Sequence, residues 1–397
     1  MSWLRSKYLK MLPVEIKKDV YWVGAVDWDL RNFHGYLTQR GSTYNSYLII
    51  DEKVTLVDTV KEHLFDEMLE RISQVIDPAK IDYIISNHVE MDHSGGLPQI
   101  IKIAKNAKII TSPNGKKGLQ KHFRQEWNFQ VVSSGDSICI GSKTLKFLLT
   151  PMVHWPDSMV TCLVQEKILF SNDAFGQHIA SVQRFDKQFD FGILEEEAKK
   201  YYANIVLPYG VQVKKALDEV LKMDIEIVAP SHGIIWQKYL KQIVNLYQKW
   251  ADNYTENKAV IIYDTMWHST ENIAKAIKNG FEQSDISAVM LNLQTNHISD
   301  VMKELLTAKY ICVGSSTLNN GLLPKVAAFL SYMKGLAPKN RTGLSFGSYG
   351  WGGQSIELIN EVLTDCGFTI MEPIKVQYLP DEQTLTDISK SVKGGLR

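Results

Sequence analysis

The sequence predicts an α+β domain followed by an α/β domain: a sandwich of two sheets flanked by helices, then a doubly wound parallel sheet. Three observations carry this. A chain of 397 residues exceeds one ordinary domain. Strand-like runs come in series through Asp58, give way to helical patterns, and return between residues 130 and 149. From Lys258 onward apolar strands and amphipathic helices alternate regularly, which means a parallel sheet with helices on both faces. The polar, unpatterned stretch 253–257 sets the division at 1–253 and 254–397.

Lys+Arg and Asp+Glu are equal at 44 each, which argues against nucleic acid or a membrane surface as a partner bound through bulk charge. The four cysteines, Cys139, Cys162, Cys312 and Cys366, form no CxxC pair. A zinc ribbon, a fused rubredoxin-type module and a secreted disulfide framework are therefore not expected, and a reducing cytoplasm fits. Residues 1–10 carry no signal-peptide core, and no apolar run approaches membrane-spanning length.

In order, residues 20–26 read as a first strand and 27–36 as an aromatic, polar loop. Runs 42–50 and 53–58 read as a hairpin turning at Asp51-Glu52. Leu64, Met68 and Ile72 give 61–76 helical spacing, and Asp77-Pro78 stops it. Residues 81–85 are a buried strand leading into Ser86-Asn87-His88-Val89-Glu90-Met91-Asp92-His93-Ser94-Gly95-Gly96. In an extended segment His88, Glu90 and Asp92 share one side and His93 turns to the other. Two imidazoles and two carboxylates there are enough to start two adjacent metal sites. A polar surface loop is the commoner use of any one such residue. All four together behind a buried strand favour metal.

Strands follow at 108–111, 130–132, 137–140 and 144–149, with a helix at 115–123. His154 comes just after the last of these strands. Strand 167–170 delivers Asp173, and strand 223–229 delivers His232. Alone, each is more often a cap or surface residue; four strand ends in series are a constellation. A helix at 239–253 closes the domain.

The second domain alternates strands 258–263, 288–293, 310–313 and 344–346 with helices 269–281, 299–308, 324–334 and 355–366. Its first loop holds Thr265, Met266, Trp267, His268, Ser269 and Thr270, hydroxyl-rich and leading into a helix N-terminus, where free N–H groups suit a phosphate or an ordinary N-cap. The loop Ser316, Thr317, Leu318, Asn319, Asn320 follows the third strand, and Ser348, Tyr349, Gly350, Trp351 the fourth. Three such loops at the carboxyl ends of a parallel sheet make a cofactor crevice. A phosphate plus a planar ring, without GxGxxG, points to FMN.

With those residues in hand, the chain resembles the flavodiiron proteins, or A-type flavoproteins, over nearly its whole length. The resemblance rests on Tyr44-Asn45-Ser46-Tyr47-Leu48, His88-x-Glu90-x-Asp92-His93, His154-Trp155-Pro156-Asp157-Ser158-Met159, Asn172-Asp173-Ala174-Phe175-Gly176-Gln177-His178, Tyr201-Tyr202-Ala203-Asn204, Ser231-His232-Gly233 and Tyr263-Asp264-Thr265-Met266-Trp267-His268-Ser269-Thr270. It implies a metallo-β-lactamase-like αββα domain with a non-haem diiron centre, then a flavodoxin-like domain with FMN. One iron would take His88, Glu90 and His154, the other Asp92, His93 and His232, with Asp173 bridging. His34, Trp155, Tyr201 and Tyr202 are candidates behind the ligands. Glu90 stands where hydrolases of the superfamily carry a second histidine, which makes the set harder and more anionic.

The resemblance further implies reduction of O2 to water, of NO to N2O, or both. Electrons would come from rubredoxin or a similar small carrier, with coenzyme F420 as the alternative donor, because the chain ends soon after its second domain. A head-to-tail homodimer or a dimer of dimers is the implied assembly. A zinc hydrolase with a flavodoxin-like appendage, an F420-dependent oxidase and a plain electron carrier are the competing readings.

Overall fold

The computed structural model describes residues 11–396, so the reading of residues 1–10 lies outside the described residues. Of the described residues, those up to Phe33, Thr38–Ala198 and Val211–Tyr247 form one compact unit; His34–Leu37, Lys199–Gly210 and those from Gln248 on form another.

The first unit is a sandwich. One sheet runs, in spatial order, Val14–Lys17, Val20–Trp22, Tyr47–Ile49, Val54–Val57, Ile81–Ile85, Lys108–Thr111 and Phe129–Val131. The other runs Ser137–Cys139, Thr144–Leu149, Met159–Leu163, Ile168–Phe170 and Ile227–Ala229. Strand periodicity explains the layers. Tyr47, Ile49, Val57, Ile85 and Ile110 point inward onto Phe147, Met159, Phe170 and Ile227 of the second sheet. Their neighbours Leu48, Leu56, Ile84 and Ile109 point outward onto Met68, Ile72, Leu97, Ile100 and Leu119 of the covering helices. The strands that lead to Asp173 and His232, Ile168–Phe170 and Ile227–Ala229, are buried at every position.

Several expected elements are divided. The run 20–26 is two strands, Val20–Trp22 and Ala25–Asp27, because the chain crosses another backbone at Gly24. A Cβ there would lie 2.2 Å from the Tyr44 carbonyl oxygen and 2.8 Å from Asn45 Cα. The run 42–50 breaks likewise, into Ser42–Tyr44 and Tyr47–Ile49. Gly24→Ala is expected to destabilise the protein by about 1–3 kcal/mol, the usual range for overpacking, read as a lowered denaturation midpoint at constant slope.

Elements without a clear pattern also appear. Met159–Leu163 is buried at every position, so it shows no alternation. Helix Glu382–Gly394 carries only Leu385, Ile388 and Val392 as its apolar stripe in a polar segment, and the Asp381 carboxylate caps it by accepting from the Thr384 N–H at 2.8 Å. Helices Phe191–Tyr201 and Gly210–Val220 were likewise not expected. Strand 223–229 shortens to Ile227–Ala229.

The second unit is a parallel sheet ordered Ser287–Asn292, Glu256–Asp264, Ala308–Ser315, Thr342–Tyr349, with Ile374–Gln377 beside the last. That is the doubly wound order 2-1-3-4-5, whose crevice falls at the carboxyl ends of the first and third strands. Ala259, Ile261, Cys312 and Phe346 face helices Ser269–Glu282 and Glu382–Gly394 on one side.

Candidate metal centre and cofactor crevice

Asn87 fixes the end of strand Ile81–Ile85. Its backbone and side-chain nitrogens donate to both oxygens of buried Asp58 at 2.8 and 2.9 Å, and its Oδ1 accepts from Thr161 at 2.8 Å. Both sheets thus hold the residue before His88. The extended reading then holds only as far as Glu90. Met91–Ser94 is one helical turn, closed by Ser94 Oγ donating to the Val89 carbonyl at 2.7 Å and the Glu90 carbonyl at 3.0 Å. This turn swings His93 round to the same centre as Asp92, rather than to the far side.

All seven predicted ligands converge, and Asp173 sorts them. Its Oδ2 lies 3.7 Å from His88 Nε2 and 3.4 Å from His154 Nε2. Glu90 Oε2 completes that side, 3.3 and 3.6 Å from the same two nitrogens. Asp173 Oδ1 lies 3.2 Å from His93 Nε2 and 3.3 Å from His232 Nε2. Asp92 completes the second side, 3.6 Å from His93 and 3.2 Å from His232. The triads His88/Glu90/His154 and Asp92/His93/His232 each offer donor atoms within 4.8 Å of one another.

Elementary electrostatics asks what such a buried cluster is for. Burial alone pushes the His88 imidazole down, yet Asp157, Glu90 and Asp173 more than offset it and hold it well above its usual value. His93 and His232, also buried, are raised to about 9 by Asp173 and Asp92. Burial raises Asp92 and Asp173, but the surrounding imidazoles pull both below the usual carboxylate range. Even so, Asp92 Oδ1 and both ring nitrogens of His93 are buried and make no hydrogen bond. Buried polar atoms are rarely left so. Nitrogen and oxygen donors aimed inward in two groups fit two divalent cations sharing a carboxylate.

The outer contacts fix the imidazoles. Asp157 Oδ2 accepts from His88 Nδ1 at 2.9 Å and from the Val89 N–H at 2.9 Å. The Thr43 carbonyl accepts from His232 Nδ1 at 2.8 Å. Each bond leaves Nε2 as the lone-pair donor toward the centre. Trp155 packs edge-on against His88, centroids 5.0 Å apart. Tyr44 meets His232 edge-on at 5.6 Å. His34 is exposed and belongs, with buried Tyr201 and Tyr202, to the second compact unit, so none of the three is among the residues the first unit gathers. Asp157→Asn is expected to weaken metal retention by about 10–100-fold, as outer-shell changes do, measured as iron remaining after dialysis against a graded chelator.

Asp157 stands in a motif of the resemblance that carries no role for it. Its signal is a carboxylate three residues after His154 and two before the buried strand Met159–Leu163. A carbonyl such as that of Thr43 has no sequence signal at all.

In the second unit, Met266, Trp267, Ser269, Ser316, Thr317, Ser348, Tyr349 and Gly350 line one cavity of about 340 Å³. Beneath it the hydroxyls of Thr270, Ser316 and Ser348 meet, Thr270 being 2.9 and 3.0 Å from the other two. Helix Ser269–Glu282 begins behind His268 with no side-chain cap, and the Thr265 hydroxyl is buried without a partner. Uncapped N–H groups and an orphaned hydroxyl fit a phosphate held without Lys or Arg.

Not every expected residue lines the cavity. Asn319 and Asn320 take left-handed backbone in a tight turn in which Leu318 and Gly321 exchange hydrogen bonds at 3.1 and 2.8 Å. Trp351 is 81% exposed and, like Leu318, Thr265 and His268, is outside the lining. Tyr378 and Leu379 line the cavity unpredicted; they follow strand Ile374–Gln377, too short and half-buried to give a pattern.

Two family models match the chain: an ODP family beta lactamase at residues 43–233 and a flavodoxin at 261–391. A nitric oxide reductase of Moorella thermoacetica is 43% identical over 94% of this chain and 95% of its own. A rubredoxin-oxygen oxidoreductase of Megalodesulfovibrio gigas is 41% identical over 98% of this chain and 99% of its own. The crystal structure of the flavodiiron protein from Giardia intestinalis superposes with a TM-score of 0.95 at 31% identity, covering 98% of this chain and 96% of that one.

Proposed function

The chain belongs to the flavodiiron proteins, and from that premise we propose that it reduces O2 to water, NO to N2O, or both, at the seven-residue centre of its first unit. The division of Asp173 between two histidine–carboxylate triads carries this reading. His88, Glu90 and His154 would hold one iron and Asp92, His93 and His232 the other, with Asp173 offering an oxygen to each side. Met266, Trp267, Ser269, Ser316, Thr317, Ser348, Tyr349 and Gly350 would hold FMN, with the uncapped N–H groups of helix Ser269–Glu282 and the hydroxyls of Thr265 and Thr270 as donors for a phosphate. When bound, FMN supplies one- and two-electron transfer and the iron pair supplies open coordination positions and reducing electrons.

The chain's own residues perform the rest. Asp157 and the Thr43 carbonyl hold His88 and His232 in the tautomer that presents Nε2. Trp155 and Tyr44 cover these imidazoles and limit water at their faces. Reduction of O2 consumes four electrons and four protons; coupling two NO consumes two of each and releases one water. The side of Glu90 and His154 is the less buried, their side chains being 19% and 15% exposed, and protons reach the centre there.

The division between functional domains is assigned to 253/254, inside the stretch 234–260 that lies between the two matched segments. Rubredoxin or a similar small carrier is the proposed donor, as the name of the M. gigas relative suggests for that protein. Coenzyme F420 is the competing donor, and a head-to-tail homodimer in the cytoplasm the proposed assembly. No helix among the described residues is long and apolar enough to cross a membrane.

The deciding experiment measures O2 and NO consumption side by side by iron- and FMN-loaded protein with chemically reduced flavin. An excess for one gas names the working substrate. Consumption of neither, with both cofactors present, overturns the reading.

A further inference from the structure

A second void lies in the first unit, between helix Gly210–Val220 and the second sheet. It measures about 30 Å³, and Val153, Leu169, Ala174, Phe175, Val213 and Leu217 are among its lining, with a wall almost wholly of carbon. Two of its polar side chains already have partners: Ser171 Oγ donates to the Ala174 carbonyl at 2.7 Å, and Tyr247 Oη accepts from the Phe175 N–H at 2.7 Å. A water needs about two to four polar partners, so such a void stays dry and takes apolar gases instead.

Two features give it a direction. Val153 immediately precedes His154, and Ala174 immediately follows Asp173, so the inner wall is the back of the two loops that carry those ligands. At the outer end Ala216 and Val220 are only half-buried, which opens the seam toward solvent along the helix. Phe175, in left-handed backbone two residues past Asp173, lines the void with its ring against Tyr247, centroids 4.4 Å apart.

We propose that this seam is a holding site for one small apolar gas molecule, O2 or NO, on a route to the centre separate from the proton-accessible side at Glu90 and His154. It rests on the gas-reductase reading. The seam concentrates the gas by the same transfer free energy that excludes water.

The test uses the iron- and FMN-loaded protein crystallised under xenon. Xenon density bounded by Val153, Leu169, Ala174, Val213 and Leu217 is expected. Ala216→Leu, which fills the seam from its half-buried end, is expected to abolish that density and to raise KM for the gas several-fold at unchanged kcat, the pattern of impaired entry rather than impaired chemistry. Val220→Phe, at the mouth, is a second plug should Ala216→Leu fold poorly. No xenon in the wild-type seam, or a KM unchanged in a plugged variant that has lost its xenon, overturns the proposal. A wild type that consumes neither gas overturns the reading beneath it, whereas xenon absent from a protein that does consume gas overturns the seam alone.

Discussion

Asp173→Ala abolishes gas reduction and leaves the chain unable to hold two irons at once. The expectation follows from where its oxygens point. Oδ2 serves the His88/Glu90/His154 side and Oδ1 the Asp92/His93/His232 side, so one substitution removes an inward donor from both. It also leaves four imidazoles, three of them buried, with two carboxylates among them, weakening the pairing that balances their charge. The loss of activity should exceed the roughly 10–100-fold of an outer-shell change. Flavin content should not move, because the crevice is built from loops of the other unit. Iron per flavin, visible spectra and gas consumption together check this. A variant that keeps both irons and its rate would remove Asp173 from the bridging position.

Stripping the metal comes next in size. Any ion bound only by the folded state adds about 4 kcal/mol at a thousandfold excess over Kd. For a domain of this size, 1 kcal/mol moves Tm by about 2–4 °C. Chelation is therefore expected to lower the melting of the first unit by roughly 8–16 °C for each ion removed, and Fe(II) to restore it. The metal-free unit should nevertheless fold. Raised imidazoles face lowered carboxylates across the cluster, and the charges offset one another without the ions. A calorimetric trace unchanged by chelation would mean that the cluster holds no metal in the folded protein.

Much of this was legible in the chain, and the parts that were not share a cause. His88, His154, Asp173 and His232 could be read because each follows a short apolar run, and buried strands announce themselves. The orientation of His93 could not, since period-two geometry stops where Ser94 closes a helical turn. The hydroxyl cluster of Thr270, Ser316 and Ser348 was foreseen as three loops, because alternation fixes the ends of parallel strands. Tyr378 and Leu379 were missed with the strand before them, whose Ile374-Lys375-Val376-Gln377 buries fully only Val376. What a backbone carbonyl such as Thr43 does for His232 depends on two segments meeting, and no local pattern encodes that.

The spread of the ligand set along the chain bears on how the protein is made. His88, Glu90, Asp92 and His93 emerge from the ribosome together, but His232 follows only after both sheets have been synthesised. At about 5–20 residues per second the interval is on the order of ten to thirty seconds. Within it His154 and Asp173 emerge, so the proposed His88/Glu90/His154 side is complete in sequence well before the other. The proposed Asp92/His93/His232 side cannot close until His232 has been made, so its ion is the later of the two to be taken up.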